Sequence, residues 1–277
     1  MAISKRSILL TVTLLFALLL SACQPIQRPA ESTASVGQLV ELNGIQIYYE
    51  VHGSGPALIL LHGGLGNAGY WYNQIPVFAK DYTVIAMDSR GHGRSTFNEV
   101  QIGYSVMASD VLALMDYLKI DKADLVGWSD GGIIGLDLAI NHSDRLNKVV
   151  AYGANYIPSG VNPDIGTNER FNAYIEQAAG DYQKLSADPS KWDAFLANIG
   201  NMWATEPNYT AEQLGTITTP ILVLDGEEEE AILTSHTIEM QGLIPGSELH
   251  LIPGTGHFAM WEKPEEFNQI ILDYLAK

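Results

Sequence analysis

The stretch Gly127-Trp128-Ser129-Asp130-Gly131 is the part of this sequence best equipped for chemistry. It follows a strand-like run, Ala123–Val126, and leads into a helix-like run, Ile133–Ile140. A G-x-S-x-G turn between a strand and a helix forces its central residue into a strained backbone conformation, and a Cβ at either flank would collide with neighbouring chain. Ser129 is thereby raised at a helix N-terminus, where the partial positive charge of the helix end favours an anion forming beside it. A serine hydroxyl is a weak nucleophile and needs a base to take its proton as it attacks. Seven histidines are available. His250 falls inside a strand pattern and His236 starts a helical one. His257 lies in Pro253-Gly254-Thr255-Gly256-His257, a loop just past a strand, where the glycines let the chain curl over a pocket. Attack on a carbonyl also needs two donors aimed at the developing oxyanion, and the turn itself supplies one, the N–H of Asp130.

These groups must be placed by the elements around them. Gln38–Glu41 and Ile45–Val51, joined by Asn43-Gly44, predict a β-hairpin. Short apolar runs predict buried strands at Ala57–Leu61, Tyr82–Met87, Ala123–Val126, Lys148–Ala151, Ile221–Leu224 and Leu249–Ile252. Helical patterns lie between several of them, at Val106–Leu118, Gly132–Ile140, Ser235–Leu243 and Pro264–Leu275. Strands alternating with helices predict an α/β domain over 38–277, with a mostly parallel sheet covered on both faces. Residues 155–214 break this rhythm and read as helices carrying Phe171, Tyr174, Trp192, Phe195 and Trp203. They are expected to form a helical lid, since a simple connection is far shorter.

From about residue 38 to its end the chain resembles the α/β-hydrolase superfamily. Besides the serine turn, His62-Gly63-Gly64 is similar to the family's oxyanion loop, Asp88-Ser89-Arg90-Gly91-His92-Gly93-Arg94-Ser95 to its fourth-strand turn, and Gly256-His257-Phe258 to its histidine loop. Gly-Trp-Ser-Asp-Gly-Gly resembles the branch of biphenyl-hydrolase-like and valacyclovir-hydrolase enzymes. The resemblance implies an eight-stranded, mostly parallel sheet with a helical lid after the sixth strand. It implies Ser129 as nucleophile, and the family's order of serine, acid, histidine sets aside His52, His62, His92 and His142, leaving His257 as base. The acid commonly lies three residues after the glycine closing the seventh strand, which here is Glu229 in place of the usual Asp. Glu230 and then Asp225 are the alternatives, and four adjacent carboxylates, Glu227 to Glu230, also fit a solvated loop. Gly64 N–H is the implied second oxyanion donor. The Asp130 side chain is expected either to stay outside as a helix N-terminal charge or to turn inward toward a cationic substrate group. Trp128 is expected either as a pocket wall touching substrate or as a buried core tryptophan, and Arg90 and His92 as structural. No metal or organic cofactor is implied. The expected activity is hydrolysis of a carboxylic ester or related acyl bond through an acyl-enzyme. Perhydrolase, lactonase, thioesterase and carbon–carbon hydrolase chemistry use the same triad, and a ligand-binding lipoprotein on a lapsed hydrolase site is the contrasting expectation.

Composition bounds the partners. With 277 residues, 47% of them hydrophobic, the chain can bury a sizeable core, and a formal net charge of −17 is the wrong sign for nucleic acid. Cys23 is the single cysteine, which excludes an intramolecular disulfide, a multi-cysteine zinc site and an iron–sulfur cluster. Lys5 and Arg6 precede the uncharged run Ile8–Leu20, shorter than the roughly 18 to 20 residues that span a bilayer, so residues 1–22 read as a signal peptide. Leu20-Ser21-Ala22-Cys23 resembles a bacterial lipobox, implying acylation of Cys23. Residues 23–37 then read as a flexible tether, and the domain as exported and lipid-anchored in the cell envelope. Gln24 resembles the pattern that directs such proteins to an outer membrane.

Overall fold

A computed structural model describes residues 37–277; the expected signal segment, Cys23 and the tether through residue 36 lie outside the described residues. Eight strands, β1 (Gln38–Leu42), β2 (Ile45–Gly53), β3 (Ala57–Leu61), β4 (Thr83–Met87), β5 (Ala123–Trp128), β6 (Leu146–Tyr152), β7 (Ile221–Gly226) and β8 (Glu248–Ile252), form one sheet. Their order is β1-β2-β4-β3-β5-β6-β7-β8. The first two pair antiparallel through Asn43 and Gly44, at φ 50° and 73°, the left-handed pair that a two-residue hairpin turn requires. Strand β2 also runs antiparallel to β4, and the remaining ladders are parallel.

The helices of the described residues are α1 (Ile75–Phe78), α2 (Tyr104–Tyr117), α3 (Asp130–Asn141), α4 (Glu169–Leu185), α5 (Trp192–Thr205), α6 (Ala211–Leu214), α7 (Thr234–Leu243), α8 (Ala259–Glu262) and α9 (Pro264–Leu275). Period-two alternation along the parallel strands builds two cores. Ile59, Leu61, Leu125, Val149 and Val223 pack on α2, α3 and α7, while Leu58, Leu60, Val126, Val150 and Leu222 pack on α1 and α9. Both faces of the sheet are thus covered, which is why its central strands are unbroken apolar runs. Residues 155–214, between β6 and β7, carry α4, α5 and α6. Phe195, Ile199 and Met202 of α5 extend the first core, and Tyr174 of α4 joins the second.

Connections after β3 run toward one edge of the sheet and those after β5 toward the other, so β3 and β5 are neighbours at a switch in winding direction. In open α/β sheets the crevice at the carboxyl ends of such a strand pair is where ligands bind. His62–Gly64 and Ser129 leave the sheet there. Strand β5 and helix α3 are each longer than their sequence patterns predict and leave Ser129 alone between them. The compression is possible because Gly127 and Gly131 lack side chains. A Cβ on Gly127 would overlap the Gly131 carbonyl, and one on Gly131 the Leu61 carbonyl.

Arg90 is structural, as read from the sequence. Its guanidinium donates from Nε and Nη2 to the two carboxylate oxygens of Asp110 on α2 at 2.7 and 2.8 Å, with both side chains buried. The pair ties the turn after β4 to α2. Asp110→Ala strips a buried guanidinium of its partner, and is expected to lower the unfolding free energy by about 3–5 kcal/mol in urea titrations.

Candidate active site

Ser129 sits at φ 53° and ψ −118°, conformations that L-residues adopt only when their surroundings enforce them. Its N–H donates to Tyr152 O at 2.7 Å, which ties the turn to the end of β6. As first residue of α3, Asp130 has no intrahelical acceptor for its N–H, so that donor is available beside the serine. On the facing loop His62 is a brace. Its Nδ1 donates to Gly63 O at 2.7 Å and its Nε2 accepts from Ser89 N at 3.0 Å, so both nitrogens are used in the neutral form. Burial holds its pKa down at about 4. Tyr174 of α4 donates to Gly64 O at 2.5 Å, fixing the next peptide of the same loop from the lid side.

His257 is buried, and its Nδ1 lies 2.8 Å from Glu229 Oε1. An acidic acceptor at that distance places the proton on Nδ1 and leaves Nε2 as a lone-pair acceptor. Glu229 is held by its own loop, with Oε1 also accepting from Ala231 N at 2.7 Å and Ile232 N at 3.1 Å. The chain folding back on the carboxylate absorbs the methylene by which Glu exceeds Asp. Gly153, at φ +59°, lets β6 pass this close, since a Cβ there would lie 2.8 Å from His257 Cε1. The histidine loop is tied down on three sides. Tyr152 Oη donates to Gly256 O at 2.6 Å and accepts from Ala259 N at 2.7 Å, Glu230 Oε2 accepts from His257 N at 2.8 Å, and Glu262 Oε2 accepts from Gly256 N at 2.8 Å.

The structure therefore brings Glu229, rather than Glu230, to the imidazole. Glu230 reaches the His257 backbone instead, and Asp225 is buried at the end of β7, accepting from Gly226 N and Thr237 Oγ1. Glu227 and Glu228 are exposed. Burial drives the charges of this group toward neutrality. It raises Glu229 to about 7, against hydrogen bonds from the Asp225 side chain and from Ala231 and Ile232 N–H. It also lowers His257 below its ordinary 6.5, opposed by the carboxyl groups of Asp225, Glu230, Asp130 and Glu262.

The Asp130 side chain does not stay outside as a helix-end charge. It is turned inward and 5% exposed, because Tyr104 Oη and Trp203 Nε1 both donate to its Oδ1 at 3.0 Å. Its Oδ2 lies beside the oxyanion loop, 2.6 Å from where a Gly64 Cβ would stand. Burial raises its pKa to about 6, opposed first by the Trp203 and Tyr104 hydrogen bonds. Of the two places expected for Trp128, a pocket wall or the core, the structure gives it the core, where it is 1% exposed. Strand alternation turns it to the Val126 face, where it packs on Tyr70, Tyr174, Phe258 and Trp261 and lies 5.8 Å from the His257 ring. It is a support beneath the imidazole.

Sequence reading missed the residues that fasten these groups: Tyr104, Tyr152, Arg170, Tyr174, Trp203 and Glu262. Arg170 of α4 reaches Glu262 Oε1 at 2.6 Å and Glu230 Oε1 at 3.4 Å, so one lid cation bridges both carboxylates that hold the histidine loop. The aromatic content of 155–214 signals a lid, but nothing in it says which ring meets which loop. A separate cavity of about 590 Å³ opens between α2, α3 and residues 206–213 and holds none of the groups above. Among the described residues no cluster could hold a metal ion.

The sequence family described as alpha/beta hydrolase fold matches residues 56–196. The 2-hydroxy-6-oxo-6-phenylhexa-2,4-dienoate hydrolase of Comamonas testosteroni is 30% identical, over 86% of this chain and 93% of that protein. Serine hydrolase BPHL of Homo sapiens is 29% identical, over 93% and 95%. A solved structure of an N-acyl homoserine lactone degrading enzyme is 30% identical with a TM-score of 0.69, over 86% of this chain and 100% of that one.

Gly153→Ala tests the packing at the imidazole. Forcing an L-residue to positive φ is expected to destabilise the fold by about 1–2 kcal/mol. Displacing His257 from Glu229 is expected to abolish the downfield proton resonance of a hydrogen-bonded Nδ1–H.

Proposed function

Because the chain belongs to the alpha/beta hydrolase family, we propose that it is a serine hydrolase cleaving a carboxylic ester or related acyl bond through a Ser129-His257-Glu229 triad. The observation that carries this reading is the buried 2.8 Å contact between His257 Nδ1 and Glu229 Oε1. Ser129 Oγ attacks the carbonyl carbon while His257 Nε2 takes its proton, and Glu229 holds the imidazole in the Nδ1–H tautomer and balances the imidazolium. The N–H groups of Gly64 and Asp130 receive the oxyanion. Collapse expels the alcohol, protonated by His257, and leaves an acyl group on Ser129. Water activated by the same histidine then releases the acid. No metal or organic cofactor takes part in this sequence.

The Asp130 carboxylate beside the Gly64 loop selects against an anionic group at that end of the substrate and suits a neutral or amine-bearing one. Lactone opening is the second reading, favoured by the 30% identity to a lactone-degrading enzyme. It uses the same attack and retains the alcohol on the product.

We further propose export and lipid anchoring at Cys23, supported by Lys5 and Arg6, the apolar run Ile8–Leu20 and the lipobox-like Leu20–Cys23. Cys23→Ala is expected to abolish labelling by radioactive palmitate and to move the protein from the membrane to the soluble fraction.

Full-length protein in mild detergent is expected to hydrolyse p-nitrophenyl acetate and butyrate. Ser129→Ala and His257→Ala should each lower kcat by about 10⁴-fold or more. Glu229→Gln should approach that loss by favouring the wrong tautomer, whereas Glu230→Gln should lose about 10-fold or less. Retained turnover in Ser129→Ala, or no ester hydrolysis and no fluorophosphonate labelling of Ser129 in the wild type, would overturn the reading. In the pH profile, the reactive form has neutral His257 beside ionised Glu229, so kcat/KM should fall on the acid side as this pair takes up a proton.

A further inference from the structure

Glu229 is unevenly satisfied. Its Oε1 is met by His257 Nδ1 and two backbone N–H groups, whereas Oε2 is buried with no donor supplied by an N–H or an ordinary hydroxyl. A buried carboxylate oxygen left without a donor is costly, and each one in a folded protein calls for a physical account. The Asp225 carboxyl is the acidic group within hydrogen-bonding reach of Glu229, and both side chains are fully out of water. Two carboxylates cannot share such a space with two negative charges, so one of them must keep its proton. Glu229 already receives three donors on Oε1, which favours its ionised form. Asp225 receives only Gly226 N–H at 2.9 Å and the Thr237 hydroxyl at 2.6 Å, and each of its oxygens retains room for a proton.

We propose that Asp225 is a neutral carboxylic acid donating a hydrogen bond to Glu229 Oε2, and so is a positioning residue for the Glu229–His257 pair. This rests on the triad reading given above and extends it by one member. Thr237 of α7 orients Asp225, Asp225 orients Glu229, and Glu229 orients the imidazole. Asp225 keeps its proton throughout, since the single proton that moves passes from Ser129 to His257. The assignment also accounts for the glutamate. With Oε1 committed to the imidazole and its own loop, the longer side chain sets its second oxygen against the end of β7. The remaining ionisable groups around this chain are Glu230 and Glu262, both paired with Arg170 of α4, together with Asp130 of α3 and Tyr152 of β6. Burial holds the Asp225 carboxyl well above the usual carboxylate range, in the direction the geometry requires.

Three variants of the full-length protein in detergent test it. Infrared difference spectra at mildly alkaline pH, where Asp130 is ionised, should show the carbonyl stretch of a neutral carboxylic acid in the wild type, and Asp225→Asn should remove it. Asp225→Asn supplies an amide donor in place of the acid, so kcat and the acid limb of the pH profile should stay where they are. Asp225→Val removes the donor. It should lower kcat about ten-fold with KM unchanged, and should move the acid limb upward because Glu229 then holds its proton to higher pH. Glu229→Gln should abolish the difference between Asp225→Asn and Asp225→Val. The proposal is overturned if no neutral-acid band is present, or if Asp225→Asn shifts the acid limb downward as the loss of a negative charge would. The infrared band does not depend on turnover. A protein that keeps the band but cleaves no ester retains the Asp225 assignment and refutes the proposed activity.

Discussion

Putting an imidazole and a carboxylate together out of water is the constraint to which the surrounding structure answers. Burial alone would neutralise both partners and leave neither orienting the other. The fold counters this with polar contacts delivered by rigid elements. Backbone N–H groups of residues 231 and 232 steady the carboxylate, and Tyr152 clasps the histidine loop at Gly256 and Ala259. Glu230 and Glu262 hold the backbone of that loop while drawing the imidazole back toward its protonated form. Acidic composition, which at the level of the whole chain only excludes partners, here opposes the loss of proton affinity that burial imposes on the imidazole.

The lid belongs to the same system. Tyr174 fixes the Gly64 carbonyl, Trp203 holds the Asp130 carboxylate, Arg170 spans the two glutamates of the histidine loop, and Phe171 meets the His257 ring edge-on. One inserted segment thus touches the oxyanion loop, the serine turn and the histidine loop together. Its own apolar residues are continuous with both cores of the sheet. A displacement of α4 would loosen the histidine loop and the oxyanion loop at once, which couples the covering of the site to its internal geometry.

The parts of this arrangement legible in the sequence are those whose physics is local. The hairpin is readable because Asn43 and Gly44 tolerate positive φ, the central strands because burial on both faces removes polar residues from them, and the serine turn because a one-residue link between β5 and α3 demands glycines on either side. Ser129 and His257 follow from such local signals combined with family resemblance. The direction of the Asp130 side chain does not, because it is decided by Tyr104 and Trp203, 26 and 73 residues away in the chain. Trp128 stays undecided between pocket wall and core for a related reason. Adjacency to Ser129 suggests a substrate contact, and strand alternation decides the matter by sending its ring into the second core. Among the adjacent glutamates, composition reads as a solvated loop, and only the way the chain folds back separates Glu229 from Glu230.

The backbone of Ser129 also bears on stability. A non-glycine residue at φ 53° and ψ −118° carries a penalty of about 1–3 kcal/mol that glycine, in the same position, would largely avoid. Serine here is a standing cost to the domain that the scaffold alone does not require, concentrated in the one residue that links β5 to α3.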